Sequence, residues 1–196
     1  MRTARPLALA AVALFALTAC GTSSTTADTP AKSLSSPAAD APTPAEPGPA
    51  ASAVTSPSAE VPKKLQFAAE TVDGKPFEGS TLAGKDAVLW FWAPWCGECR
   101  REAPHVAAVQ AATKDKAVFV GVAGLGETPD MRAFVRDYQV GAFTHIADLD
   151  GTVWKRFGVV QQPAYAFVDD SGKVEVVRGE LGEKALAAKV AELTGP

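Results

Sequence analysis

Cys96 and Cys99 are the residues of this chain best placed to do chemistry. They stand three apart in Trp90-Phe91-Trp92-Ala93-Pro94-Trp95-Cys96-Gly97-Glu98-Cys99, which reads as an apolar strand, a tight turn and the opening of a helix. Positions i and i+3 share one helix face, at a separation a disulfide can bridge. The unpaired N–H groups of a helix start favour thiolate over thiol at the first cysteine. Cys96 is thereby equipped for attack on a disulfide, and Cys99 for resolving the mixed disulfide that results.

The surrounding side chains each carry two readings. Glu102 lies three after Cys99 and shares its helix face. It is either a carboxylate that modulates a thiol and takes its proton, or a solvent-facing first-turn glutamate that suits the helix dipole. Glu98 disfavours the adjacent thiolate and makes the pair less oxidising. Trp92 and Trp95 either shield the site and offer apolar contact or simply pack. Arg100 and Arg101 either stabilise a thiolate or, as is commoner at a helix start, are solvated, and His105, six after Cys99, should not face the pair. Metal chemistry fits poorly. Two cysteines exclude a four-cysteine zinc site, and His105 and His145 lack finger spacing. His145 with Asp148-Leu149-Asp150-Gly151 is a fragment of a metal motif without its remaining ligands. The expected cofactor list is empty apart from the Cys96–Cys99 disulfide itself.

The elements that must position the pair follow from periodicity. Residues 87–92 are continuously apolar and β-prone, which predicts a central strand covered on both faces. The helix from Cys96 continues to about residue 112, buries Val106 and Val109, and is kinked by Pro104. A first strand is expected over 65–71, and a loop over 77–82. A second apolar strand spans 117–123. Thr128 and Pro129 read as N-cap and first helical position, ahead of Met131, Phe134, Val135 and Tyr138 at helical spacing. A strand at 144–147, a short helix at 150–157 and a hairpin of 165–168 with 173–178 follow. A last helix after Gly182 buries Leu186, Val190 and Leu193. Alternation of strands and helices predicts a three-layer α/β domain, with Cys96 at the carboxyl end of a central strand where such sheets place their sites.

The 196 residues carry a net charge of −3, with no basic block or stripe to suggest nucleic acid. The third cysteine, Cys20, closes an N-terminal segment. Arg2 and Arg5 form a positive start, an apolar stretch too short for a comfortable membrane span follows, and Leu17-Thr18-Ala19-Cys20-Gly21 ends it. This resembles the lipobox of bacterial lipoproteins, which implies cleavage after residue 19 and lipid on the Cys20 thiol. The alternative is an ordinary secretory signal with an incidental cysteine. Residues 20–60 are almost all Ala, Ser, Thr and Pro, and cannot offset the entropy of ordering. They read as a disordered tether or a glycosylated stalk. As a tether of about 40 residues it spans about 35 Å r.m.s.. The folded domain is assigned to residues 61–196.

At this point the chain resembles the thioredoxin superfamily, in its extracytoplasmic TlpA/ResA/DsbE-like branch. The motifs that carry the resemblance are Trp92-Ala93-Pro94-Trp95-Cys96-Gly97-Glu98-Cys99, then Arg101-Glu102-Ala103-Pro104, and far downstream Phe157 to Asp169 around Pro163. The resemblance implies a thioredoxin-like three-layer α/β fold with a central mixed sheet flanked by helices. It implies that Pro163 is a cis-proline facing the cysteines, with Gln162 and Trp95 beside the substrate. It implies that Glu102 matches a glutamate that tunes cysteine ionisation. Trp90 stands where thioredoxin itself has an aspartate. The implied activity is extracytoplasmic thiol–disulfide exchange with exported proteins, at a lipid anchor, with a membrane redox partner. Two directions are open: a DsbE-like oxidase, and a ResA-like reductase for cytochrome c maturation. A peroxiredoxin-like peroxidase is disfavoured, because Leu89 and Ala93 replace the proline and hydroxyl residue of that pattern. A non-catalytic binding module is disfavoured by a cysteine pair exposed at a helix start.

Overall fold

The computed structural model describes residues 60–195. The segment 1–19 read above as a signal, Cys20, and the stretch to residue 59 read as a tether lie outside the described residues. The sheet is built around β3 (Ala87–Trp92), every residue of which is buried. Parallel to it on one side run β4 (Val118–Gly124) and then β5 (Thr144–Asp148); antiparallel on the other run β6 (Ala164–Val168) and β7 (Val174–Arg178). The order is β5-β4-β3-β6-β7, the mixed central sheet that the resemblance implies.

Strand alternation splits β3 between two hydrophobic clusters, one on each face. Val88, Trp90 and Trp92 join the cluster that includes Val106 and Val109 of α1 (Gly97–Thr113), Met131 and Phe134 of α2 (Thr128–Asp137), and Leu186 and Val190 of α4 (Gly182–Thr194). Ala87, Leu89 and Phe91 join the other, with Val153, Trp154 and Phe157 of α3 (Thr152–Phe157) and with Leu65 and Phe67 from the start of the domain. These are the three layers. Every strand of the predicted sheet is present, within a residue or two of its expected ends.

Three local expectations change. Residues 65–71 are not one strand: a 3-10 turn, Lys63–Leu65, precedes a short β1 (Ala68–Glu70). Pro62 at φ −55° sets that turn, and Leu65 and Phe67 are buried as anchors against the sheet rather than as one side of a strand. Residues 77–82 are not a loop: β2 (Pro76–Glu78) pairs antiparallel with β1, and a 3-10 turn, Gly79–Leu82, follows. Glu127, not Thr128, is the N-cap residue of α2, so Pro129 sits one place further into the first turn, where its missing N–H still costs nothing.

Candidate active site

β3 delivers the chain to the site and stops at Trp92. A turn closes from Cys96 N–H to the Ala93 carbonyl (3.1 Å), and Cys96 becomes the N-cap of α1. Its Sγ accepts the Cys99 N–H at 3.0 Å, the capping bond that a Ser or Asp would otherwise make. Cys96 and Cys99 are joined as a disulfide, with 5.3 Å between their Cα atoms. The pair is less open than its position suggested. Cys99 is fully buried and Cys96 is 4 % exposed, so of the two cysteines only Cys96 meets solvent.

Two clamps fix the turn. Arg100 is exposed, and it also donates from Nη2 to the Pro94 carbonyl at 2.9 Å. Trp95 donates from Nε1 to the Leu125 carbonyl at 2.6 Å, tying the turn to the loop that follows β4. Leu125 is held at φ +55°, a conformation that costs a non-glycine residue about 1–2 kcal/mol. Its neighbour must be glycine: a Cβ on Gly126 would sit 2.5 Å from Pro94. The two tryptophans have separate fates. Trp95 is exposed, whereas Trp92 is wholly buried and is packing.

On the other side of β3, the Gln162–Pro163 peptide is cis, as the resemblance implies. The register pairs Ala164 with Phe91, so Pro163 stands one step further on, at the level of Trp92 and near the cysteine turn. Pro163 is buried, its carbonyl accepts the Gly179 N–H at 2.8 Å, and Gln162 is half-buried. The structure thus brings Trp95, Cys96, Cys99, Gln162 and Pro163 to one edge of the sheet.

Glu102 is not the solvent-facing residue of the second reading: it is 2 % exposed. Its Oε1 accepts the Tyr165 hydroxyl (2.6 Å) and the N–H groups of Leu181 (2.9 Å) and Gly182 (3.0 Å). Burial, then the bond to Glu102 and its charge, push the Tyr165 phenol well above its ordinary range, so it stays a donor. The carboxylate therefore joins α1 to β6, two residues past the cis-proline, and to the start of α4. Sequence reasoning missed Tyr165, Arg100 and Leu125. Tyr165 had a signal in its spacing from Pro163, and Leu125 in the glycines on both sides of it.

The metal fragments have structural work instead. His145 is buried, with Nε2 on the Val140 carbonyl (2.8 Å) and Nδ1 accepting from Trp92 Nε1 (3.3 Å). Asp148 accepts the Val153 and Trp154 N–H groups and so caps α3, while burial pushes its carboxyl up. Among the described residues no cluster of three His, Cys, Asp or Glu side chains is arranged to hold a metal. Leu89 and Ala93, where the peroxidase pattern needs proline and a hydroxyl, are both buried.

The model of the AhpC/TSA family matches residues 59–177. The soluble secreted antigen MPT53 of Mycobacterium tuberculosis (strain ATCC 25618 / H37Rv) is 41 % identical over 135 residues, covering 67 % of this chain and 77 % of that one. The thiol-disulfide oxidoreductase ResA of Bacillus subtilis (strain 168) is 31 % identical over 122 residues, covering 61 % of this chain and 68 % of the relative. Among solved structures, MTB DsbF in mixed oxidised and reduced forms superposes with a TM-score of 0.67 at 55 % identity, over 68 % of this chain and 99 % of that one. With a Cys-x-x-Cys disulfide at the helix start and a cis-proline alongside, the chain belongs to the AhpC/TSA family and is a thiol–disulfide oxidoreductase on a thioredoxin-like fold.

Proposed function

We propose that the chain works as a disulfide donor, passing the Cys96–Cys99 disulfide to thiols of exported proteins. The observation that carries this reading is the Cys99 N–H aimed at Cys96 Sγ, 3.0 Å away. Completing the exchange leaves negative charge on Cys96 when the client departs. A fixed N–H at a helix start stabilises that charge, favours the dithiol form of the enzyme, and so makes the couple more oxidising. The difference in burial supports Cys96 as the sulfur that a client reaches. A client thiolate attacks Cys96 Sγ, the Cys96–Cys99 bond breaks, and its electron pair leaves on Cys99. A second client thiolate then attacks the client sulfur of the mixed disulfide and expels Cys96 as thiolate. Two electrons have passed from client to enzyme, the client thiols have lost their protons to solvent, the two enzyme sulfurs take up protons from it according to their pKa values, and the client holds the disulfide.

In this reading Trp95, Gln162 and Pro163 border the client chain. Glu102 positions α1 against β6 and α4, its Oε1 accepting from Tyr165, Leu181 and Gly182. The resemblance of residues 17–21 to a lipobox supports a lipid on Cys20. Such a lipoprotein anchor carries more than one acyl chain, which stable attachment requires. The domain would then act at the extracytoplasmic face of the cell membrane, where protein disulfides persist.

The test is the reduction potential of the Cys96–Cys99 couple, set against a scale from about −270 mV for a reductant to about −120 mV for a strong oxidant. A value in the oxidising half is expected. A value near the reducing end overturns donation and makes the chain a ResA-like reductase.

A further inference from the structure

Two pairs of cations, Lys63-Lys64 and Lys155-Arg156, meet across 92 residues of sequence. Lys64 donates from Nζ to the Arg156 carbonyl, and Arg156 donates from Nη1 to the Lys63 carbonyl at 2.9 Å. The Lys64 ammonium also stands 5.8 Å from the centre of the Phe157 ring. These bonds fasten the 3-10 turn Lys63–Leu65 to the last turn of α3. They use main-chain carbonyls and a ring, so they neutralise none of the four charges. The ion pairs among the described residues all involve other side chains. In sequence, Glu60 is the only carboxylate within three residues of any of the four. Lys63, Lys64 and Lys155 are exposed; Arg156 is half-buried, and its Nε is buried without a hydrogen-bond partner. The fold thus gathers four like charges, which repel one another, without supplying their counter-charge.

The patch sits where the chain enters the domain. Gln66 donates from Nε2 to the Val61 carbonyl at 2.7 Å, and Pro62 lies against the turn between β6 and β7, where a Cβ on Gly172 would come 2.1 Å from the proline ring. That turn follows Val168, which pairs with Ala87, the first residue of β3. The cysteine turn leaves the other end of β3, six residues and about 17 Å along the strand. Charge at the cysteine edge has the opposite sign. Glu98, Glu127 and Asp150 are exposed just past the ends of β3, β4 and β5, and none of them is in an ion pair with a described residue. Lys85 and Lys173 are exposed near the start of β3, but Asp86, Asp169 and Asp170 stand among them, so the unbalanced positive charge is that of the four.

We propose that Lys63, Lys64, Lys155 and Arg156 form a contact for anionic phospholipid headgroups, which seats the domain on the membrane with its cysteine edge turned outward. The inference rests on the reading of Cys20 as a lipid anchor and adds how the anchored domain is oriented. Residues 20–59, read as a tether, join the domain beside this patch. A tether of that length keeps a lipid surface within about 35 Å r.m.s. of the four cations. Each cation close to an anionic surface strengthens partition about fivefold. Four of them make a contact that is weak for a free protein and well populated for one held nearby by its own anchor. The same surface repels the carboxylates of the cysteine edge, so both ends of the domain favour one orientation. Cys96 then faces the exported chains rather than the lipid.

The experiment uses residues 20–196 with Cys20→Ser, the mature chain without its lipid. It is sedimented at low salt with vesicles of phosphatidylglycerol and phosphatidylcholine in equal parts, and with vesicles of phosphatidylcholine alone. Binding is expected to the first vesicles only, and to fade at high ionic strength. Lys63→Ala with Lys155→Ala removes two exposed charges whose side chains bond no described residue, and is expected to weaken partition about 25-fold. Arg178→Ala with Lys184→Ala removes the same charge near the cysteine edge, and is expected to change partition by less than about twofold. Equal partition to the two vesicles, or equal losses in the two double variants, overturns the patch. The anchor is tested apart, by the mass of the peptide that carries Cys20 in the membrane fraction of cells. An unmodified Cys20 overturns the anchor, while vesicle binding lost only with the first pair of substitutions keeps the patch.

Discussion

Two buried ionisable side chains face the same side of the sheet, and their surroundings differ in kind. Glu102 is met by donors alone: one phenol and two main-chain N–H groups converge on a single oxygen. His145 is met by one carbonyl and one indole N–H, a donor–acceptor pair that only the neutral ring satisfies. The first arrangement binds three elements through one acceptor. The second holds a ring upright in a slot, and that slot exists because residue 121 is glycine, where a Cβ would lie 2.0 Å from His145 Nδ1. Burial alone therefore says little about a titratable residue near a redox site; the partners decide what it does.

The strongest way to break this contrast is to empty the Glu102 position. Glu102→Ala leaves the Tyr165 hydroxyl and the Leu181 and Gly182 N–H groups without an acceptor, and is expected to cost about 3–5 kcal/mol in urea unfolding. Tyr165→Phe removes one donor and leaves the other two bonded, and should cost about 1–2 kcal/mol. If the two variants cost the same, the carboxylate does not join α4 to α1, and its role shrinks to partnering the tyrosine.

His145 sharpens the contrast through pH. Burial is the main cause that pushes its pKa down from 6.5 to about 4, against weaker opposing pulls from the Val140 carbonyl and Asp73. Between those values the unfolded chain holds a proton that the folded one refuses. Stability is thus complete above about pH 6.5 and falls as pH drops toward 4, by about 3 kcal/mol for this one group. Unfolding midpoints at pH 7, 6, 5 and 4 should show that slope, and His145→Gln should flatten it, while carboxylates that titrate in both proteins cancel. A slope of equal size in the variant would mean that His145 is protonated in the fold and that its bond to Trp92 is misassigned.

The difference between the two residues also marks what the sequence can carry. β3 was legible to the residue, because six consecutive apolar side chains admit one environment. Cys96, Cys99 and Pro163 were legible because their chemistry is local or tied to a motif. Glu102 stayed ambiguous, since its donors come from Tyr165, Leu181 and Gly182, between 63 and 80 residues away. Helix periodicity placed it on the face of Cys99 without saying whether that face is wet. The hairpin of β1 and β2 was lost for the opposite reason. Its strands are three residues long and largely exposed, so no alternation betrays them, while the apolar residues beside them belong to turns.

The smallest expected effect lies one residue away from the largest. Arg101 and Glu180 form an ion pair at 3.1 Å, with side chains 64 % and 36 % exposed. The pair joins the same two segments as the Glu102 clamp, one position earlier in each. In water-exposed geometry the attraction is screened and both side chains lose rotamer freedom, so the net contribution falls below about 1 kcal/mol. Arg101→Ala should shift stability by less than about 0.5 kcal/mol and lose even that in high salt. Unfolding curves of the variant at low and high ionic strength check both parts. A loss comparable to that of Glu102→Ala, surviving salt, would move the main tie between α1 and α4 from the buried carboxylate to the surface.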